Sequence, residues 1–72
     1  MIFPNPVRDK LIIKGAFNLR YEIYNNVGSL IDSNSIENDR QSIDMNRLIS
    51  GMYFIRIVNG NAARKSFKVI KQ

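Results

Sequence analysis

The stretch Leu48-Ile49-Ser50-Gly51-Met52-Tyr53-Phe54-Ile55-Arg56-Ile57-Val58 is the densest run of strand-forming residues in the chain, and its reading decides the fold. β-Branched and aromatic side chains from Tyr53 to Val58 suit a pleated, half-buried surface, and the run is too short and too poor in helix formers to be a helix. Alternation puts Tyr53, Ile55 and Ile57 on one face. Met52, Phe54, Arg56 and Val58 fall on the other, which is only partly apolar and faces solvent or a partner. Leu48, Gly51 and Tyr53 have the spacing of a tyrosine corner, in which a tyrosine opening a strand turns its hydroxyl back onto upstream backbone. A plain turn with a core tyrosine is the alternative reading. Both are statements about architecture rather than chemistry.

Working outward from this central strand, Asn59-Gly60 is a strong hairpin signal, because both residues tolerate positive φ. The last strand, Ala63 to Lys71, turns Phe67 and Val69 inward with Lys68 opposite. Lys65 and Lys71 at its ends, with Arg64, blunt an edge. Upstream, Ile43 and Met45 face inward and Ser42 and Asp44 outward. Ser33 to Arg40 is polar and reads as a loop or weak edge strand pinned by Ile36. Ser29 to Asn34 is a short strand reached from Leu19–Asn25 through Asn25-Asn26-Val27-Gly28, with Gly28 at a left-handed position. Leu19, Tyr21 and Ile23 alternate with Arg20, Glu22 and Tyr24, and Leu11 and Ile13 share a face between Asp9 and Gly15. Pro4-Asn5-Pro6 makes a stiff opening segment. Residues 1–8 therefore read as the end of a linker and the start of the domain, and residues 9–72 as the domain itself.

Roughly six to seven short strands, with no helical periodicity, argue a small antiparallel Ig-like β-sandwich of Greek-key character. A partly open barrel is the other candidate. The chain has 72 residues, which make one domain of modest core. No apolar run approaches the ~20 residues of a membrane span. Met1 to Pro6 lacks the basic and hydrophobic segments of a signal peptide.

Chemistry is conspicuously thin. There is no histidine and no cysteine, which removes the usual general base, thiol nucleophile and soft metal ligands. Asp9, Glu22, Asp32, Glu37, Asp39 and Asp44 are scattered and follow no calcium-loop pattern. The reading is of a protein that is not an enzyme and has no cofactor or metal. The net charge of +5 suits an acidic partner. Arg56, Arg64, Lys65, Lys68 and Lys71 gather toward the C-terminus, as either a recognition surface or a solvated edge.

Several motifs in order carry a family resemblance: Pro4-Asn5-Pro6-Val7, the Ile23-Tyr24-Asn25-Asn26-Val27-Gly28 hairpin, Ile43-Asp44, then Leu48 to Ile57 and a lysine-rich last strand. Together they resemble the C-terminal sorting domain of the type IX secretion system over nearly the whole chain. The resemblance implies an Ig-like sandwich at the C-terminus of a larger exported protein, which passes through the periplasm and outer membrane and is secreted or held at the cell surface. It implies as partners the outer-membrane translocon and a sortase-like protease at the cell surface, with the cargo often joined to anionic lipopolysaccharide. Residue by residue, Pro4, Asn5 and Pro6 mark the start of the domain after a cleavable linker. Gly28, Leu48, Gly51 and Tyr53 are scaffold positions, joined by the Asn59-Gly60 turn. Lys65, Lys68, Val69 and Lys71 belong to the recognised terminal strand. There are two departures from the family pattern: Asn25 and Asn26 where many members carry an acidic residue, and Gln72 after the expected terminal lysine.

Two other classes compete with this reading. A nucleic-acid-binding barrel would use exposed tyrosines on a basic sheet, but Tyr21 and Tyr53 fall on core faces. Nucleic acid is therefore not expected as a partner. A carbohydrate or adhesion module would have only Tyr24 and Phe54 to offer.

Overall fold

The computed structural model describes residues 1–60 and 62–72, without the side chains of residues 63 and 64. The expected role of Arg64 at the edge lies outside the described residues. Seven strands run in order: β1 (Ile2–Phe3), β2 (Lys10–Lys14), β3 (Arg20–Tyr24), β4 (Leu30–Ser35), β5 (Arg40–Asp44), β6 (Gly51–Asn59) and β7 (Ala62–Lys71). They form two antiparallel sheets, β1-β2-β5 and β4-β3-β6-β7. The chain changes sheet between β2 and β3, β4 and β5, and β5 and β6, which gives the Greek-key character of an Ig-like sandwich. Two separate sheets rule out the barrel.

Period-two alternation explains which side chains fill the space between the sheets. Leu11, Ile13 and Ile43 come from the three-stranded sheet, and Tyr21, Ile23, Tyr53, Ile55, Ile57 and Val69 from the four-stranded one; all belong to one buried cluster. Val7, Ala16, Ile36 and Met45 close it from the connections. Val58 is also buried, although it lies outside this cluster. Ile36 acts as the expected pin: its amide donates to the Leu19 carbonyl at 2.8 Å, and its carbonyl accepts from the Asn18 amide at 3.0 Å.

Of the two readings of Ser33 to Arg40, the structure has the edge strand as far as Ser35, because pairing with Arg20, Tyr21 and Glu22 of β3 supplies the order that their polar side chains do not signal. Asn59 is the last residue of β6, paired with Ala62, so the first residue of the expected Asn59-Gly60 turn is strand. Gly60 has a φ of +61°. At the start, where a linker's end was expected, Ile2 and Phe3 pair with Ile13 and Ile12, and Val7 is fully buried. The opening segment is thus built into both sheets.

Candidate recognition site

β7 is an edge strand, and the opening segment lies along it. Val7 forms a parallel bridge with Lys71. Its amide donates to the Ile70 carbonyl and its carbonyl accepts from the Gln72 amide, both at 2.8 Å. Asn5 extends the pairing with a side chain in place of backbone: Nδ2 donates to the Lys68 carbonyl and Oδ1 accepts from the Ile70 amide, each at 3.0 Å. A carboxamide offers one donor and one acceptor side by side, as a peptide group does, so Asn5 imitates one rung of a strand. Arg8 adds a bond from Nε to Gln72 Oε1 at 3.2 Å.

The β7 edge is therefore not open along its whole length. The bonds to Asn5 and Val7 show that Lys68 and Ile70 turn their amides and carbonyls away from β6. Alternation assigns the same outward direction to Ser66. The strap occupies both groups of Ile70 and the carbonyl of Lys68, and among the described residues it leaves open the amide of Lys68 and both groups of Ser66.

The expected recognition residues do not share a face. Val69 is core, at 1% exposure. Lys71 has the same parity as Val69 and is itself buried, with Nζ donating to the Gln72 carbonyl at 2.7 Å, so it is no free surface charge. Lys65 is exposed, with Nζ 5.5 Å from the centre of the Phe67 ring. Lys68 is exposed on the opposite, outer face, across from Phe54. Only Lys65 and Lys68 among these lysines are available to a partner.

The turns that hold β6 and β3 in place have the geometry their residues suggest. The Tyr53 hydroxyl donates to the Ile49 carbonyl at 2.7 Å, closing a tyrosine corner. Leu48 packs partly buried against the core, its amide donating to the Met45 carbonyl at 3.1 Å. Gly51 has a φ of +155°, a region open almost only to glycine, and nothing lies within 4 Å of where a Cβ would stand, so the constraint there is backbone rather than space. In the β3–β4 hairpin, Gly28 has a φ of +88°. Asn25 Oδ1 accepts from the amides of Val27 and Ser29 at 3.1 and 2.9 Å. An acceptor oxygen is what this turn needs, and the Asn25 carboxamide supplies it. Gln72, the other departure, is absorbed into the clamp with Val7 and Arg8.

Tyrosines 21 and 24 both ionise above the usual value of 10.0. Burial of the Tyr21 phenol raises it, helped by the Asp32 carboxylate. For Tyr24 the main cause is its hydrogen bond to Glu22 Oε1, at 2.9 Å.

The described residues form a small sandwich without helix, whose last strand is an edge held by the start of its own chain. The profile of the secretion system C-terminal sorting domain matches residues 1–72, and the chain belongs to that family, the sorting domains of type IX secretion. Comparison with curated proteins and with solved structures gave no match. Membership implies engagement with the type IX machinery and a cargo that is secreted or held at the cell surface. Among the described residues, no helix is long and apolar enough to cross a membrane.

Proposed function

We propose that the domain is a non-catalytic export address read at β7. The outer-membrane translocon adds a strand at the open stretch from Ser66 to Lys68, with acidic groups meeting Lys65 and Lys68. The observation that carries this reading is the half-open edge: backbone donors and acceptors at Ser66 and Lys68 stay free beside two exposed lysines, while Asn5 and Val7 cover the strand from the Lys68 carbonyl to Gln72. The cargo follows through the outer membrane. A sortase-like protease at the cell surface then removes the domain, often transferring the cargo to anionic lipopolysaccharide. Because β1 and Val7 are built into the sandwich, the cleaved linker lies ahead of Ile2, and Pro4, Asn5 and Pro6 belong to the folded address rather than to the linker.

The test is a reporter carrying this chain at its C-terminus in a host with type IX machinery, scored in medium against periplasm. Wild-type fusion should reach the medium. Lys65→Ser with Lys68→Ser should lower export while leaving thermal melting nearly unchanged, since isolated surface charges contribute little to stability. Periplasmic retention of the wild-type reporter would end the sorting reading; full export of the double variant would remove the lysines from it.

A further inference from the structure

The two outer faces of the sandwich differ sharply. On the three-stranded sheet the row Phe3–Ile12–Ser42 holds half-buried apolar residues, and the Arg40 guanidinium lies over the Phe3 ring at 5.5 Å. Lys10, Lys14, Asp44 and Ser42 surround them, so that face is sealed and polar. On the four-stranded sheet, strand register aligns Leu30, Tyr24, Phe54 and Lys68 in one row across all four strands. Met52 and Ile70 pair in the neighbouring row. Leu30, Phe54 and Ile70 remain 53%, 39% and 37% exposed.

The charges around it are not balanced. Glu22 is the carboxylate on this face, and it is committed within the domain: it accepts from the Tyr24 hydroxyl at 2.9 Å and lies 3.7 Å from Arg56 Nε. Arg20 donates to the hydroxyls of Ser33 and Ser35, at 2.8 and 3.3 Å, and so keeps its charge unmatched. Lys68 closes the row at the open end of β7. Tyrosine, phenylalanine, methionine and arginine around an apolar stripe are the composition of a protein interface core. A flat aromatic and aliphatic stripe with two free cations fits an acidic protein surface bearing apolar side chains. A second copy fits poorly, because it would set Arg20 and Lys68 against their like.

We propose that the row Leu30–Tyr24–Phe54, with Ile70 beside it, is a second docking surface for an acidic, apolar-bearing protein of the export machinery, continuous at Lys68 with the open edge of β7. The inference rests on the sorting function. The reporter assay separates the two: export of the wild-type fusion tests sorting, and export of a Leu30→Thr, Phe54→Thr variant tests the surface. Threonine keeps strand propensity and both positions are exposed, so the variant should melt close to wild type. Its export should fall about tenfold or more. Detergent-solubilised translocon should retain purified wild-type domain and lose the variant, with retention of the wild type weakening as salt rises. Lys68→Glu should weaken retention further at low salt. Wild-type export with equal export of the folded threonine variant would overturn the proposal. So would equal retention of both by vesicles containing lipopolysaccharide in place of translocon, or sedimentation showing that the row joins two copies of the domain.

Discussion

The two edges of the four-stranded sheet are protected by opposite means. On β4 the amides of Ser33 and Ser35 are each occupied at 2.9 Å by the carboxyl or carboxamide oxygen of the preceding residue, Asp32 or Asn34. That protection is local and travels with the strand. On β7 the protection comes from Asn5 and Val7, more than sixty positions away in the chain, and it stops at Lys68. An exposed edge is a template for pairing with another chain, and a fold that must avoid such pairing covers it. On β4 those two amides are capped from within the strand; the β7 edge is partly open and its cover comes from the other end of the chain. The difference teaches where a partner strand is admitted.

The largest expected effect comes from removing the segment that both holds and is held. Deleting Val69 to Gln72 takes away a core side chain worth roughly 1.5–3 kcal/mol and the bonds to Asn5, Val7 and Arg8 at about 1 kcal/mol each. The sum consumes most of the margin of a small domain. The truncated chain should lose its cooperative melt, so its failure to be exported would reflect unfolding as much as lost recognition. A cooperative, near-native melt would show that the strap carries little.

Next is the corner that fixes β6 between the two edges. Tyr53→Ala should cost about 3–5 kcal/mol through cavity and lost hydrogen bond, and Tyr53→Phe about 1 kcal/mol through the bond to Ile49 alone. Denaturant melts of the two variants measure the difference. Equal and negligible losses would detach the corner from the stability of the sheet.

The comparison of edges is sharpened by a smaller change. Asn5→Ala removes two hydrogen bonds, about 1–2 kcal/mol if both contribute fully, and should speed amide exchange at Ile70 without altering exchange at Ser33 and Ser35. Asn34→Ala should do the reverse, speeding exchange at Ser35 and sparing Ile70. Matching responses at both edges in either variant would mean that the two covers are not independent.

The central sandwich was legible because its information is local. Tyr21 and Ile23 alternate with Arg20, Glu22 and Tyr24, and Leu11 with Ile13 and Tyr53 with Ile55 and Ile57 keep the same spacing of two, a periodicity that needs no partner to be read. The strap was not legible. Asn5 and Ile70 are distant in sequence, and a polar side chain imitating a strand rung leaves no hydrophobic pattern. β1 was hidden for a related reason, since two residues before a proline are too few for periodicity to register. The burial of Lys71 could have been found: it shares parity with Phe67 and Val69, and the long lysine stem can enter a core while its ammonium reaches a carbonyl. Its charge pointed to the surface, and parity prevailed.

Entry of a partner strand at the open part of β7 is tested by Ser66→Pro. Proline lacks the amide that faces outward from Ser66, so the ladder to β6 is kept, while strand addition at that position loses its donor and meets the ring. Export of the reporter and the thermal melt of the same variant are measured together. The expected result is a folded domain, melting close to wild type, whose reporter stays in the periplasm. A folded Ser66→Pro domain that delivers its reporter to the medium at the wild-type level would contradict it.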